Sequence, residues 1–267
     1  MTIDFSTGYA GSNDDLQPNG FQQWRALTGR TMRTMVGRSQ LFVAILIPLV
    51  FTLGYYLPLK YVMSVRGVDY AQYVMPIVVL QTMAFTMMSN AQLAAFETMN
   101  GFNERMQAMP VAALAPLGAR ITAGQCRSIV ALAAAIGFGH VIGFRFVAGT
   151  GQAMLFCVFA LAVGLVLSLG ADALGVITKN PQALSQALAL PTLILGMLSC
   201  GFVPATGFPE WIQPFVRNQP ISQFSISMQA MTTTGVSFHV LWPSLLWLGG
   251  AAALFVPLGV WASGRRG

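Results

Sequence analysis

The amino-acid sequence predicts an all-α membrane protein with six transmembrane helices. Hydrophobic residues make up 55% of the chain and charged residues 8%, whereas a soluble domain carries about 25% charged residues. Apolar stretches of about 20 residues recur, which is the length a helix needs to cross about 30 Å of hydrocarbon. A membrane β-barrel would instead show alternating segments of about 10 residues. Helices satisfy their own backbone groups in lipid, so spans are predicted at 41–59, 74–95, 121–142, 153–171, 183–202 and 241–261.

Basic residues are divided unevenly between the two ends of these spans. An even number of spans places both termini on one side, and ten of the 14 Lys and Arg residues lie on that side. The positive-inside rule makes this side cytoplasmic. We therefore expect a multi-pass protein of the plasma membrane with both termini in the cytoplasm. Nucleic-acid binding is not expected, because the basic residues form no soluble cluster with aromatic or motif support.

The first 40 residues precede the first span. Residues 1–20 are rich in Gly, Ser, Asn and Asp and are expected to form a mobile tail. Residues 21–40 are predicted to form a helix with Trp24 and Leu27 on its apolar face and Arg33 opposite. Basic amphipathic helices of this kind lie in the membrane interface. That placement is preferred to the alternative, a helix packed on other protein, and residues 41–267 then form the transmembrane domain.

The second span carries unusual polarity. Gln81, Phe85, Met88 and Gln92 lie on one stripe at helical spacing. A lipid-facing surface would not favour two Gln side chains. Either the stripe packs on another helix, where polar groups hydrogen-bond across the contact, or it lines a pathway. The residues alone leave both interpretations open.

A polar segment, 97–111, connects spans two and three. It contains Glu97, Gly101, Glu104 and Arg105 and stops at Pro110, in a chain with few charges. Connections of this kind are normally short or featureless, so the segment is interpreted as a docking surface for a component outside the membrane.

A second turn lies on the same side, between spans four and five. Lys179, Asn180 and Pro181 form it, and the sequence leaves a pairing of Lys179 with Asp172 open. In the third span, Arg127 lies about one turn inside the membrane and is expected to extend its charge to the cytoplasmic interface.

The segment after span five, 203–215, is neither a tail nor a span. It contains three Pro residues together with Trp211 and Phe215. Proline ends helices and Trp prefers the membrane interface, so we expect short helices that dip into the outer leaflet and return. Irregular backbone at that depth persists only against protein or a water-filled cavity. The segment is therefore interpreted as functional.

The sequence shows no enzyme active site. His140 and His239 have no partner at ligand spacing, and no His-Glu-x-x-His or Gly-x-Ser-x-Gly run occurs. Cys126, Cys157 and Cys200 lie in predicted spans without metal or disulfide spacing. A Walker A sequence is also missing. We therefore expect a non-enzymatic chain without a metal or cofactor of its own.

The order of these features resembles the permease subunits of type 2 ABC exporters, in particular the daunorubicin-resistance permeases of actinobacteria. Three stretches carry the resemblance: Gly-Phe-Asn-Glu-Arg-Met-Gln-Ala-Met-Pro-Val at 101–111, Phe-Val-Pro at 202–204, and Pro-Glu-Trp-Ile-Gln-Pro-Phe-Val-Arg-Asn-Gln-Pro-Ile at 209–221. With Val-Ile-Gly-Phe-Arg-Phe at 141–146, the pattern is similar to the B-type permeases of mycobacterial phthiocerol dimycocerosate exporters. It covers nearly the whole chain from about Arg25.

The resemblance implies a half-transporter with two permeases and two ABC ATPase subunits on separate chains, where ATP and Mg would bind. The first stretch looks like the coupling helix that contacts the ATPase. On that basis the coupling residues are Glu97, Gly101, Asn103, Glu104, Arg105, Met106 and Pro110, together with Lys179 and Asn180. The family commonly begins this helix with Asp-Arg-Glu-Arg-Gly, whereas residues 97–101 read Glu-Thr-Met-Asn-Gly. This departure favours a heterodimer with a second homologous permease over a homodimer.

The resemblance also implies a substrate route. The stripe Gln81, Phe85, Met88 and Gln92 becomes its candidate lining. The implied substrate is large and apolar, either an envelope lipid such as phthiocerol dimycocerosate or an anthracycline-like drug. The implied outer gate consists of Phe202, Pro204, Trp211, Pro214 and Phe215.

Two other functions are weighed against transport. A membrane scaffold would recruit a cytoplasmic partner through 97–111 without moving a substrate. A membrane-embedded lipid-modifying enzyme would form product without an ATPase, but the missing catalytic groups argue against it. Loss of coupled ATP hydrolysis on changing Glu104 and Arg105 would distinguish a permease from both.

Overall fold

The computed structural model describes residues 20–37, 40–64, 69–101, 115–178 and 180–264. Helices make up most of these residues, and no strand occurs among them. The helices are α1 Gly20–Gly37, α2 Gln40–Ser64, α3 Tyr70–Met99, α4 Ala115–Ile142, α5 Thr150–Ile177, α6 Pro181–Met197, α7 Gln213–Asn218, α8 Pro220–Thr232 and α9 Phe238–Gly264, with a 3₁₀ turn at Ala205–Gly207. The all-α prediction is confirmed for this part of the chain.

Five of these helices are long and apolar enough to cross a bilayer: α2, α3, α4, α5 and α9. The predicted span at 183–202 extends too far, because α6 ends at Met197 and residues 198–203 form turns and bends. With 17 residues, α6 is about 26 Å long. Cys200 and Phe202 are buried against protein rather than lipid, which hydropathy alone does not distinguish. A sixth crossing by α6 therefore stays a prediction.

Helix α3 is the centre of the bundle. In its most apolar window 89% of the residues are buried by protein, compared with 17% for α2 and 11% for α9. It packs against α5, α4, α2, α6 and α8. Its polar side chains are therefore surrounded by other helices, which accounts for the unusual composition of the second predicted span.

The bundle has two ends, defined by the loops that join the helices. The proximal end holds the start of α2, the end of α3, the start of α4 and the end of α5. The distal end holds the start of α3, where Gln72 Nε2 donates to the Arg145 carbonyl at 2.8 Å. Val147 there donates to the Thr232 carbonyl at 3.0 Å, joining the α4–α5 connection to α8.

Helices α3 and α5 approach closely through small residues. A Cβ atom built on Gly175 of α5 would lie 2.5 Å from the Ala91 carbonyl oxygen and 2.8 Å from the Ala94 Cβ of α3. Such contacts are typical of membrane helix pairs, where small residues let backbones approach. They fix α5 on the proximal half of α3.

Helix α1 packs on the start of α4. A Cβ atom on Gly118 would lie 3.2 Å from the Trp24 side chain, so the apolar face that contains Trp24 is turned towards protein at this point. The interfacial placement of α1 stays a prediction, because one part of this helix can contact protein while another part contacts lipid.

The segment between α6 and α9 contains two short helices, α7 and α8. Gln219 Nε2 donates to the Leu195 and Leu198 carbonyls at 3.1 and 2.6 Å, which satisfies acceptors left open at the end of α6. The Cys200 amide donates to Ser222 Oγ at 2.9 Å. Short helices are thus present where the sequence predicts them, while their depth in a membrane is a prediction.

Candidate functional site

The predicted coupling segment begins where α3 ends. The Asn100 and Gly101 amides donate to the Phe96 and Thr98 carbonyls at 3.1 Å each, and Gly101 has a φ of 65°. Glycine adopts this left-handed conformation at low cost, which is why it often ends a helix. The remaining coupling residues lie outside the described part of the chain: Asn103, Glu104, Arg105, Met106, Pro110 and Lys179.

Three charged side chains meet at the proximal end of the bundle. Arg120 of α4 donates from Nε and Nη2 to the Asp172 carboxylate of α5 at 2.7 and 3.0 Å. The Glu97 carboxylate of α3 lies 3.5 Å from Arg120 Nη1. Arg120 and Asp172 are 7% and 2% exposed, so this is a buried network that joins α3, α4 and α5. Sequence analysis left Asp172 open to Lys179, but both of its oxygens bind Arg120.

This network includes Glu97, the first residue of the predicted coupling segment 97–111. Glu97 precedes Gly101 by four residues, about one helical turn. The side chain of Glu97 is 22% exposed. Glu97, Arg120 and Asp172 therefore link the end of α3 to α4 and α5 through charged side chains.

Asn180 has a structural role at the start of α6. Its Oδ1 accepts hydrogen bonds from the Gln182 and Ala183 amides at 3.1 and 3.2 Å, and Pro181 follows at the first helical position. Both features are typical of a helix N-terminus. Contact of this turn with an ATPase stays a prediction.

The predicted pathway stripe is mostly occupied by packing within the chain. Gln81 is 4% exposed and lies against Gly196 of α6, and Phe85 packs edge-to-face on Phe51 of α2 at 5.0 Å. Met88 is buried in the cluster with Ala91 and Leu184. Gln92 is exposed and donates to Ser185 Oγ at 2.6 Å. These contacts match the helix-packing interpretation, and a pathway role stays a prediction.

A cavity lies beside this stripe, on another face of α3. Its volume is about 230 Å³. Helices α2, α3 and α4 line it with polar and apolar residues, and Gln92 is the member of the predicted stripe that reaches it. Arg127 lines its wall and is 3% exposed. Neighbouring helices bury this side chain, so it does not extend into open water, and its position at the level of the interface stays a prediction.

The predicted outer gate is split into two places. Phe202 is 8% exposed and packs edge-to-face on Tyr55 of α2 at 4.4 Å. Trp211 and Phe215 are 80% and 53% exposed, and Pro214 is exposed beside them. Pro204, the remaining member, is half-buried at the start of the 3₁₀ turn. One group belongs to the core and the other to the surface, and gating stays a prediction.

Sequence reasoning missed the Glu97–Arg120–Asp172 network because it counted Arg120 only as a topology signal. A usable signal was present. Charged residues inside apolar helices almost always pair with one another or mark a function, and these three residues fall at ends of spans predicted to lie on one side.

The model of the ABC-2 family transporter protein matches residues 64–261. This chain is a member of the ABC-2 transporter family. The resemblance drawn from the sequence is thereby confirmed.

The chain is similar to several ABC transporter permeases. The doxorubicin resistance ABC transporter permease protein DrrB of Mycobacterium tuberculosis is 38% identical over 249 residues, covering 85% of this chain and 86% of DrrB. The probable doxorubicin resistance permease DrrC of the same organism is 27% identical and covers 60% of this chain and 58% of DrrC. The daunorubicin resistance permease DrrB1 of Streptomyces coeruleorubidus is 24% identical over an alignment that covers 82% of this chain and 77% of DrrB1. All three are named as permeases, the membrane components of ABC transporters.

Proposed function

We propose that this ABC-2 chain is the transmembrane permease subunit of an ATP-driven exporter that moves a large apolar substrate out of the cytoplasmic leaflet. The observation that carries the proposal is the match to a drug-resistance permease along 85% of the chain. The buried charge network supports it, since Glu97, at the start of the predicted coupling segment, is joined through Arg120 to α4 and α5.

ATP hydrolysis is assigned to separate ABC ATPase subunits, which bind ATP and Mg. Closure of these subunits around nucleotide would displace the coupling residues of 97–111, with Lys179 and Asn180 as a second contact. The permease is then a two-state element whose inward- and outward-facing forms bind the nucleotide-loaded ATPase differently. Arg120 transmits the displacement from α3 to α4 and α5.

The proximal end is placed in the cytoplasm of a cell whose plasma membrane holds the bundle. The basic residues near this end support that orientation through the positive-inside rule. Both termini are then cytoplasmic, α6 completes six crossings, and α1 lies at the inner interface. The short helices α7 and α8 enter the outer leaflet.

A second homologous permease is proposed to complete the pore as a heterodimer. The relatives support this, because DrrB and DrrC are two permeases of one organism and this chain is similar to both. The departure of residues 97–101 from the family pattern favours a partner with the fuller motif. Pairing of two identical chains is the competing arrangement.

The proposed substrate is an anthracycline-like drug or an envelope lipid such as phthiocerol dimycocerosate. The relatives' names support the drug, since they specify doxorubicin and daunorubicin resistance. The Met and Phe side chains around Gln81 suit either class, because they adapt to irregular apolar surfaces. In this proposal the stripe becomes accessible when α6 moves, and the segment around Trp211 gates the exit.

Co-expression with candidate ABC ATPases tests the proposal. The tagged chain is expected to co-purify with one ATPase. The ATP hydrolysis of this complex is expected to rise when an apolar substrate such as daunorubicin is added. The double variant Glu104→Ala/Arg105→Ala is expected to lose this stimulation. Lys60→Ala is the control, because Lys60 is an exposed charge at the distal end and lies outside both the coupling segment and the proposed gate.

Two results would contradict the proposal. Association without stimulated hydrolysis, in both the unmodified chain and the control, would instead indicate a scaffold. Normal stimulation in the Glu104→Ala/Arg105→Ala variant would show that the coupling segment is not where force enters.

A further inference from the structure

Arg127 is a buried cation with no carboxylate partner among the residues that the structure describes. Its Nη1 donates to Gln40 Oε1 at 3.2 Å and its Nη2 to the Thr86 carbonyl at 3.1 Å. Nη2 also donates to Asn90 Oδ1. All three acceptors are neutral, and Nε is buried without a partner. A guanidinium keeps its charge in proteins, so the positive charge here is solvated but not neutralised.

Arg120, seven residues earlier on the same helix, shows the opposite arrangement. It lies about 10 Å away along the helix axis and is neutralised by Asp172 and Glu97. Among the described residues of this region, Arg120 thus has counter-ions and Arg127 has none. Burying an unpaired ion is costly, which argues that something besides the described side chains offsets its charge.

The cavity next to Arg127 has an amphipathic lining. Gln40, Thr86 and Ser89 lie with Arg127 on its polar wall. The Thr86 and Ser89 hydroxyls donate to carbonyls of their own helix at 3.0 and 3.1 Å. The apolar residues that line the cavity are Val43, Ala44, Ile47, Leu93, Phe96 and Ala131.

The size and mouth of the cavity limit its occupant. A volume of about 230 Å³ is below the roughly 300–1,000 Å³ of pockets that enclose a whole drug-sized ligand. It holds a headgroup rather than a complete large substrate. Val43 and Phe96, which are 44% and 48% exposed, stand at its edge, where an attached chain would continue along apolar surface.

The depth of Arg127 matches the level of lipid headgroups. In the sequence Gln40 directly precedes the apolar run of α2 and follows Arg38 by two residues, which places it where that helix reaches the headgroup level. Since Arg127 hydrogen-bonds Gln40, its guanidinium lies at the same level. An arginine fork binds phosphate and carboxylate oxygens through paired donors.

We propose that the cavity between α2, α3 and α4 binds the anionic headgroup of an amphiphile from the adjacent leaflet, with Arg127 as its counter-ion. Phosphate is the preferred head chemistry, and the same site disfavours cationic amphiphiles. The site needs only the folded chain. It is therefore assayed without any ATPase, and its outcome is independent of the transport proposal.

The test measures lipid binding to the purified full-length chain in neutral detergent. Dioctanoyl phosphatidylglycerol is the anionic probe and dioctanoyl phosphatidylcholine the zwitterionic one. The anionic lipid is expected to raise the melting temperature, since a ligand that binds only the folded state stabilises it. Arg127→Gln is expected to weaken phosphatidylglycerol binding at least tenfold and the already weaker phosphatidylcholine binding less, because choline offsets the phosphate charge of that lipid.

Two further variants keep the test informative if Arg127→Gln does not fold. Ala131→Leu adds volume inside the cavity without changing charge and is expected to weaken phosphatidylglycerol binding by a similar factor. Ser128→Ala is the matched control next to Arg127. Ser128 does not line the cavity, and this variant is expected to bind like the unmodified chain.

Inorganic phosphate distinguishes the two sources of the anion. If 10 mM phosphate stabilises the chain as much as phosphatidylglycerol does, and Arg127→Gln removes both effects, the site binds a soluble anion and the leaflet source is wrong. Equal affinity for the two lipids, or unchanged phosphatidylglycerol binding in both Arg127→Gln and Ala131→Leu, would overturn the proposal.

Discussion

Arg120 and Asp172 form a buried ion pair with two hydrogen bonds, at 2.7 and 3.0 Å, between α4 and α5. Glu97, at the end of α3, shares the same guanidinium at 3.5 Å. The end of the bundle next to the proposed coupling segment is thus held by charge as well as by apolar packing.

The ion pair predicts a large stability cost for Asp172→Asn. Removing one partner of a buried pair costs about 3–5 kcal/mol, because the other charge stays buried. The midpoint of denaturant unfolding in detergent measures this change. Glu210→Gln, an exposed acid at the distal end, is the control and is expected to differ from the unmodified chain by under about 0.5 kcal/mol. Equal stability of both variants would mean that Arg120 does not depend on Asp172.

Glu97→Gln is expected to separate stability from coupling. Its Oε2 lies 3.5 Å from Arg120 Nη1 and makes no hydrogen bond, so its loss is expected to cost less stability than the loss of the Asp172 carboxylate, which accepts two hydrogen bonds. In a complex with the ATPase, the same variant is expected to lower substrate-stimulated ATP hydrolysis at least threefold, because α3 is then less firmly linked to α4. A variant that unfolds readily but couples normally would contradict this role.

Gly175→Ala is expected to separate α3 from α5. The new Cβ would lie 2.5 Å from a backbone oxygen of Ala91, which a side-chain rotation does not relieve, and overpacking of this kind costs about 1–3 kcal/mol. Gly137→Ala in α4 is the matched control, since no atom lies within 4 Å of its Cβ position. That control is expected to be neutral or stabilising by up to about 1 kcal/mol. Thermal unfolding of both variants checks the difference, and equal midpoints would show that the helices are farther apart.

Gln219→Leu is expected to loosen the end of α6. The side chain donates to two carbonyls there, and leaving such buried acceptors unsatisfied costs about 1–3 kcal/mol each. Faster amide hydrogen exchange at residues 198–201 is the expected readout. Gln223→Leu is the control, because Gln223 donates to the exposed Arg217 carbonyl. If amide exchange at these residues were equally slow in both variants, Gln219 would not be what holds the end of α6.

The sequence predicted most of the helices because hydropathy and length determine where a chain can cross lipid. The predicted end of the fifth span was too late for a physical reason. Cys200 and Phe202 are as apolar as lipid-facing residues, but Cys200 contacts Ser222 and Phe202 packs on Tyr55. The polarity of α3 signalled that this helix is not surrounded by lipid, and the structure places it at the bundle centre.

The site was less predictable than the fold. The pairing of Arg120 with Asp172 joins residues 52 positions apart, and only the helix neighbours determine which acid reaches which base. Arg127 was expected to extend towards water, yet Asn90 and Thr86 of α3 hold it inside. Hydrophobic periodicity carries no information on such contacts between helices.

Substrate movement in proteoliposomes tests the central claim most directly. The chain, reconstituted with its ATPase and any partner permease, is expected to move a fluorescent anthracycline or lipid probe on addition of Mg-ATP. The Glu104→Ala/Arg105→Ala variant is expected to stop this movement while the complex stays assembled. Equal probe movement without ATP, or in that variant, would contradict the account that this chain is an exporter permease driven through residues 97–111.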